Sequence, residues 1–223
     1  MHNITLIIPA KNESESLPSV LDELKQYSYK IDIILHSTDS ETIRSIKNHD
    51  VNIIYQKNFG YGDALIHGIN QCKTKYFCIF NADGSFNPSE IDNMHKSLDT
   101  KKLDFLFASR YDANSGSDDD TLLTLIGNYI FTYIGKIFFR LNISDILYTF
   151  VIGKTEQAKK LHLNQKDFSF CVELPIKAKK MKMELGCTNS YERKRIAGKK
   201  KVNAFKDGFL ILNYMIKLFF MKF

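Results

Sequence analysis

The stretch FNADGSFNPSEI, residues 80–91, holds the residues whose types and spacing point most directly to chemistry. An apolar run ends in Asn81-Ala82-Asp83-Gly84, and Pro88 then opens a helix-like segment. Side chains two apart at the end of a strand point to the same side, so Asn81 and Asp83 share a face. Mg²⁺ and Mn²⁺ take oxygen ligands and keep waters and substrate phosphates in their shells. One carboxylate and one amide oxygen therefore suffice for such a cation when a diphosphate completes the shell. The spacing alone leaves a second reading open, a polar turn, because Asp-Gly is a common turn pair.

An alternation of strands and helices must position these residues. Apolar runs predict strands at Ile4–Pro9, Ile31–Leu35, Val51–Tyr55, Tyr76–Phe80 and Leu103–Ala108. Between them, helical spacing follows the cap-like Ser16 and Pro18, spans Thr38–Asn48, runs from Gly60-Tyr61-Gly62 to Cys72, and spans Pro88–Leu98. The fold class expected is α/β, a mostly parallel central sheet with helices on both faces. Ligands of such sheets bind outside the carboxyl ends of the strands. The loops there are Ala10–Glu13, His36–Ser40, Gln56–Gly60, Asn81–Ser85 and Ser109–Tyr111.

The second half differs. Residues 1–120 carry 12 Lys+Arg against 18 Asp+Glu, whereas residues 121–223 carry 19 against 7, so anionic partners are expected for the second half. Phosphorylated substrates, a membrane surface and nucleic acid all qualify. Leu122–Leu141 is aromatic-rich and near the length of a membrane span, but Gly127, Asn128, Gly135 and Lys136 interrupt it, which favours buried or interfacial helices. Phe168–Lys180 reads as a helix, Lys182–Leu185 as a strand and Arg193–Lys206 as a basic loop. The tail FLILNYMIKLFFMKF is too short to cross a bilayer but suited to lying on one, or to packing on the domain or a partner subunit in a homo-oligomer. Cys72, Cys78, Cys171 and Cys187 show no CxxC spacing, and the six histidines no metal-ligand spacing; reduced thiols in a cytosolic protein are expected. The N-terminus runs straight into a strand-like segment, so no signal peptide is expected.

Five segments come in order: IIPAKNESESLPSVLDEL, GYGDALIHGI, FNADGSFNPSEI, FASRY and ERKRIAGKKKVNAFKDG. Together they resemble family 2 glycosyltransferases, especially the branch around dolichol-phosphate mannose synthase and bacterial polyprenyl-phosphate sugar transferases. The resemblance implies a single GT-A domain over residues 1–208, followed by an apolar helix over 209–223. It implies an inverting transfer from a nucleotide-diphosphate sugar, with Mg²⁺ or Mn²⁺ on the diphosphate. Pro9, Lys11 and Glu13 fall where the first loop meets the nucleoside, and Asn81, Ala82 and Asp83 on the metal-binding and donor-binding turn. Arg110 falls on an arginine facing the reacting phosphates. Arg195, Gly198 and Lys201 fit an R-x-x-G-x-S-K pattern whose cations hold phosphates, in keeping with the fork of Arg and the point charge of Lys.

The chain also departs from the pattern. His36 and Ser37 stand where an Asp pair is usual, with Asp39 a displaced candidate for the donor's base. Asn81 replaces an acidic residue, Ser85 stands where some relatives have Gln, Lys200 replaces a Ser, and Thr124 stands where an acceptor-phosphate arginine is expected. A hydroxyl acceptor needs a carboxylate base, and Asp145 is the only carboxylate in FFRLNISDILYTFVIG; a polyprenyl phosphate is already an anion and needs none. A lipid-phosphate acceptor at the cytoplasmic membrane face is therefore expected, with peripheral membrane contact. The departures motivate an alternative, a non-catalytic relative that binds nucleotide sugar or membrane as a subunit or scaffold. Nucleic-acid binding through Lys199–Lys201 is not expected, since no reader motif accompanies the charge.

Overall fold

The computed structural model describes residues 3–198 and 200–222. Met1, His2, Lys199 and Phe223 lie outside the described residues, and with them the outer limits of the two segments 1–208 and 209–223 and one lysine of the Lys199–Lys201 run.

The first half alternates as its sequence demands: β1 Ile4–Pro9, α1 Leu17–Leu24, β2 Lys30–His36, α2 Ser40–Ser45, β3 Asn52–Gln56, α3 Tyr61–Gln71 and β4 Tyr76–Ile79. After a 3₁₀ turn at Pro88–Glu90 come α4 Ile91–Thr100, β5 Phe105–Ser109, β6 Gly116–Ser117 and α5 Leu122–Phe139. The chain continues through β7 Val151–Lys154, α6 Thr155–Lys160, α7 Phe170–Lys180, β8 Leu185–Asn189, β9 Tyr191–Glu192 and α8 Ala204–Phe220. Seven strands form one sheet in the order β3-β2-β1-β4-β7-β5-β8. All neighbours are parallel except β7, which runs antiparallel between β4 and β5. β6 and β9 make a separate two-stranded parallel pair.

Strand pleating divides the apolar side chains between two cores. Ile4, Leu6, Ile8, Ile33, Leu35 and Cys78 pack against the helices α1 and α4. Ile7, Ile34, Phe77 and Ile79 face the opposite layer, built from α3, α5, α6, α7 and α8. The sheet is thus covered on both faces, as a mainly parallel sheet requires.

Several elements differ from their sequence patterns. Ser16 does not cap α1; its hydroxyl donates to Glu13 Oε2 at 2.9 Å. The aromatic-rich stretch is one unbroken helix, α5, because its Asn128 and Gly135 face inward and interrupt nothing. Of the stretch Lys182–Leu185 expected as a strand, Lys182 lies in a turn at φ 58° and only Leu185 is strand, the first residue of β8. The basic segment gives way to helix at Ala204, one turn before the apolar tail begins. The antiparallel β7 carried no distinct signal in the sequence.

Two buried charges, Glu173 and Lys177, fasten the loop before α7. Glu173 accepts from the backbone N–H groups of Asn164 and Gln165, from Tyr214 of α8 and from Lys177 at 2.7 Å. The loop so held presses on the start of α3, where Gly60 has φ 140° and an added Cβ would lie 2.1 Å from the Lys166 carbonyl oxygen. Only glycine fits there.

Candidate active site

The loops at the carboxyl edge of the sheet converge, tied by backbone and carboxylate contacts. In the first, Asn12 adopts φ 52° and donates its N–H to Asp39 Oδ2 at 2.7 Å. Asp39 Oδ1 accepts from Thr42 N, capping α2, so Asp39 joins the first and second loops. Pro9 closes β1 opposite Ile34, and Lys11 is exposed beside it. His36 stacks on Phe59, ring centroids 4.1 Å apart, at the edge of the same region.

The Asn81–Ser85 turn lies next to this. Asn81 accepts from Phe86 N at 3.2 Å and donates to the Ser85 hydroxyl. Asp83 Oδ1 accepts from Ser85 N at 3.0 Å, while Oδ2 lies 3.4 Å from Arg195 Nη1. Ala82 is buried in the core. Gly84, at φ 83°, has the Ile196 side chain 2.5 Å from where its Cβ would be, so the basic segment lies directly over the turn.

That segment is laid down by main-chain bonds, Arg193 N to Ser85 O and Ile196 N to Asp83 O, both 2.8 Å. Arg193 grips Glu23 with both guanidinium nitrogens, at 2.8 and 3.0 Å. Arg195 forks onto Asp119 at 3.1 and 2.7 Å, and Lys201 pairs with Glu13. Lys200 reaches Asp119 at 3.4 Å and Asp120 at 3.9 Å. Burial alone would raise the Asp119 carboxyl, but the Arg195 hydrogen bonds and charge and the nearby Lys200 hold it below its usual range. Asp120 is likewise held low against burial, by hydrogen bonds from Thr124 and Tyr111.

Arg110 continues the chain of charges. Its guanidinium binds Asp145 at 2.7 and 3.1 Å and Glu192 at 3.0 Å, with Asp120 at 3.7 Å, and it lies 4.6 Å over the Tyr148 ring. Burial opposes its charge, yet Asp145 and Glu192 keep it firmly protonated. The side chain is 10% exposed, so the structure turns it toward protein carboxylates rather than open solvent. Asp145, fully buried, is its orienting partner.

Sequence reasoning brought Glu13, Asp83, Arg195 and Lys201 to one edge, and the structure places them there. It missed Asp119, Asp120 and Glu192. The run Asp118-Asp119-Asp120 was the visible signal, an acidic patch facing a basic segment across the fold. Among the described residues, no three His, Cys, Asp or Glu side chains converge as a metal-holding group. The connected ion pairs nonetheless hold five carboxylates against three cations (Asp83, Asp119, Asp120, Asp145 and Glu192 against Arg110, Arg195 and Lys200), with Glu13 and Lys201 as a separate pair beside them. This negative excess, with Asp83 Oδ2 turned to the loops, fits a divalent cation that takes most of its shell from phosphate and water oxygens.

The architecture is that of a GT-A domain, a mostly parallel sheet with its charged loops at the carboxyl edge. Residues 5–161 match the profile of Glycosyl transferase family 2, and the chain belongs to that family. An uncharacterized glycosyltransferase of Mycobacterium tuberculosis is 26% identical over 96 residues, 43% of this chain and 44% of that protein. The undecaprenyl-phosphate 4-deoxy-4-formamido-L-arabinose transferase of Pseudomonas fluorescens is 28% identical over 107 residues, 42% of this chain and 31% of that protein. The matched stretch therefore spans less than half the length of these curated relatives. Among solved structures, glucosyl-3-phosphoglycerate synthase of M. tuberculosis, crystallised with Mn²⁺, UDP and glucosyl-3-phosphoglycerate, superposes with a TM-score of 0.70. It is 11% identical, over 96% of this chain and 79% of that one.

Proposed function

We propose that the chain is an inverting glycosyltransferase that moves a sugar from a nucleotide-diphosphate donor to an acceptor phosphate, most simply a polyprenyl phosphate at a membrane surface. The observation that carries this reading is the basic segment bonded onto the Asp83-Gly84-Ser85 turn, which brings Arg195 to 3.4 Å from Asp83. Asp83, with the second lone pair of the Asn81 amide oxygen, would hold a Mg²⁺ or Mn²⁺ ion. Such an ion, when bound, neutralises a departing diphosphate. Arg195 and Lys201 grip phosphate oxygens, while Pro9, Lys11, Glu13 and Asp39 shape the donor side. Arg110 acts as a buried strut that sets Asp120 and Glu192.

Basicity supports this acceptor. Asp119 and Asp120, two of the carboxylates beside Arg195 and Lys200, are both held below the ordinary range. Carboxylates so depressed are poor bases toward a hydroxyl, which favours an acceptor already ionised. The decisive experiment is a mass-spectrometric screen of nucleotide sugars with Mg²⁺ or Mn²⁺, offering polyprenyl phosphate and phosphoglyceric acid in parallel. Transfer to polyprenyl phosphate is the expected result. Transfer to phosphoglyceric acid alone would replace the acceptor, and donor binding with no turnover on either would favour a non-catalytic subunit.

Two further results are expected. Asn81→Asp keeps the acceptor for Phe86 N and the partner for Ser85 while adding a negative charge. It should tighten Mn²⁺ binding roughly tenfold, since ligand charge count tunes such sites; an unchanged affinity by water-proton relaxation would show that position 81 is no ligand. Asp119 fills the Arg195 fork as a phosphate would. Asp119→Asn should therefore tighten metal-free UDP binding about tenfold, the scale of one charge-assisted hydrogen bond removed from competition. Weaker binding by calorimetry would mean that Asp119 holds Arg195 in its binding posture instead.

A further inference from the structure

The helix α5 is built inside out. Its buried stripe is Asn128, Thr132, Gly135 and Phe139, whereas Leu122, Leu123, Ile126, Ile130, Tyr133 and Phe138 are exposed. Asn128 donates to Asp145 and accepts from Leu147 N, and Thr132 accepts from Ile146 N at 3.2 Å, so the polar stripe is fastened lengthwise to the domain. Small and polar residues toward protein, with large apolar ones outward, is the pattern of helices that face lipid. The helix α8 packs beside it, with Phe219 meeting Phe138 and Phe139 edge-on at 5.8 and 6.1 Å. It is apolar on two faces. Ile211, Tyr214, Met215 and Leu218 are buried, while Phe205, Phe209, Leu212, Ile216 and Phe220 recur outward at helical spacing.

We propose that the joint outer face of α5 and α8 docks on an anionic lipid bilayer and sets the charged site against its headgroup layer. Charge selects this occupant. Lys136, Arg140, Lys206, Lys217 and Lys222 are exposed along the two helices and just past their ends, and the one acid there, Asp207, accepts from Asn203 N. A second copy of the chain meeting face to face would bring these cations together, since a two-fold contact uses the same patch twice. Anionic headgroups attract them. Although α5 is long and apolar enough to cross a membrane, its bonded stripe makes it lie along the domain instead. Placement gives the face its use. The first helix begins two residues after Asp120 and the second three after Lys201, so both start at the segments carrying the site's charges. A lipid phosphate is thereby offered where a soluble phosphate would have to diffuse. This deepens the lipid-phosphate reading and rests on it.

The test is flotation of the full chain with vesicles. Binding is expected to vesicles containing phosphatidylglycerol, to weaken with salt, and to be far lower with phosphatidylcholine alone. The double variant Tyr133→Asp, Phe209→Asp should partition at least about 10-fold less while binding UDP as before, which shows the fold intact. No binding of the parent chain to the anionic vesicles, or equal partition of the variant, would overturn the proposal. A dimer of the parent chain in sedimentation equilibrium that the double variant breaks would overturn it in favour of a second copy. A short, water-soluble prenyl phosphate separates the two readings. The variant should lose transfer to vesicle-borne acceptor and keep it to the soluble one. Absence of transfer to any acceptor, with vesicle binding intact, would remove the transferase reading and leave the docking surface standing.

Discussion

Asp83→Ala is expected to lower sugar transfer at least about 100-fold, the scale of losing one oriented electrostatic contact. Asp83 is the one carboxylate of the turn that faces the loops. Two effects must be separated. Its Oδ1 also accepts from Ser85 N at 3.0 Å, so alanine removes a turn contact as well as a charge. The turn keeps other anchors, namely Asn81 with Phe86 N, and Ser85 O and Asp83 O accepting from the basic segment. Asp83→Asn resolves the ambiguity because its amide oxygen still accepts from Ser85 N while the charge is gone. It should lose turnover nearly as fully as alanine, with Mn²⁺ dependence shifted to higher concentration. Turnover close to the parent value in Asp83→Ala would remove this residue from the mechanism. Recovery in Asp83→Asn alone would make its role that of a turn residue.

What the sequence revealed and what it hid have different physical origins. The strands of the first half were legible because each is built on a short apolar run bounded by polar turns, and their loops had to meet at the carboxyl edge. The antiparallel β7 was hidden because Val151-Ile152-Gly153-Lys154 is too short and mixed to stand out, and only tertiary pairing with β4 and β5 gives its direction. Asp119 and Asp120 lie some 75 residues from Arg195 along the chain, so no local pattern joins them to it. Arg110 shows the limit of reading charge alone. The motif around it suggested a phosphate-facing cation, but whether an arginine meets substrate or protein depends on the carboxylates folded against it. Here Asp145 and Glu192 take its fork. The outward apolar stripe of α5 was hidden for a related reason, since periodicity shows that a helix has two faces and not which one the domain will bury.

Arg195→Ala is expected to cost at least about 100-fold in turnover as well, with a different signature. The guanidinium bridges two carboxylates, Asp83 at 3.4 Å and Asp119 at 2.7 Å. Its hydrogen bonds to Asp119 outweigh partial burial and keep it protonated across any practical pH. Removing it leaves two carboxylates without their shared cation, so the site becomes more negative just where an anionic diphosphate must enter. Donor affinity should therefore fall along with the chemical step, and single-turnover rates at saturating donor would show the second loss by itself. The basic segment should stay in place, because Arg193 still grips Glu23, Lys201 still pairs with Glu13, and two main-chain bonds still join it to the turn. Arg195→Lys sharpens the test. Lysine restores the charge but not the planar fork, so it should recover donor binding more than turnover. Parent-like transfer in Arg195→Ala would show that the segment lies over the site without acting in it. Equal rescue of both quantities by lysine would show that charge alone, and not geometry, is what position 195 supplies.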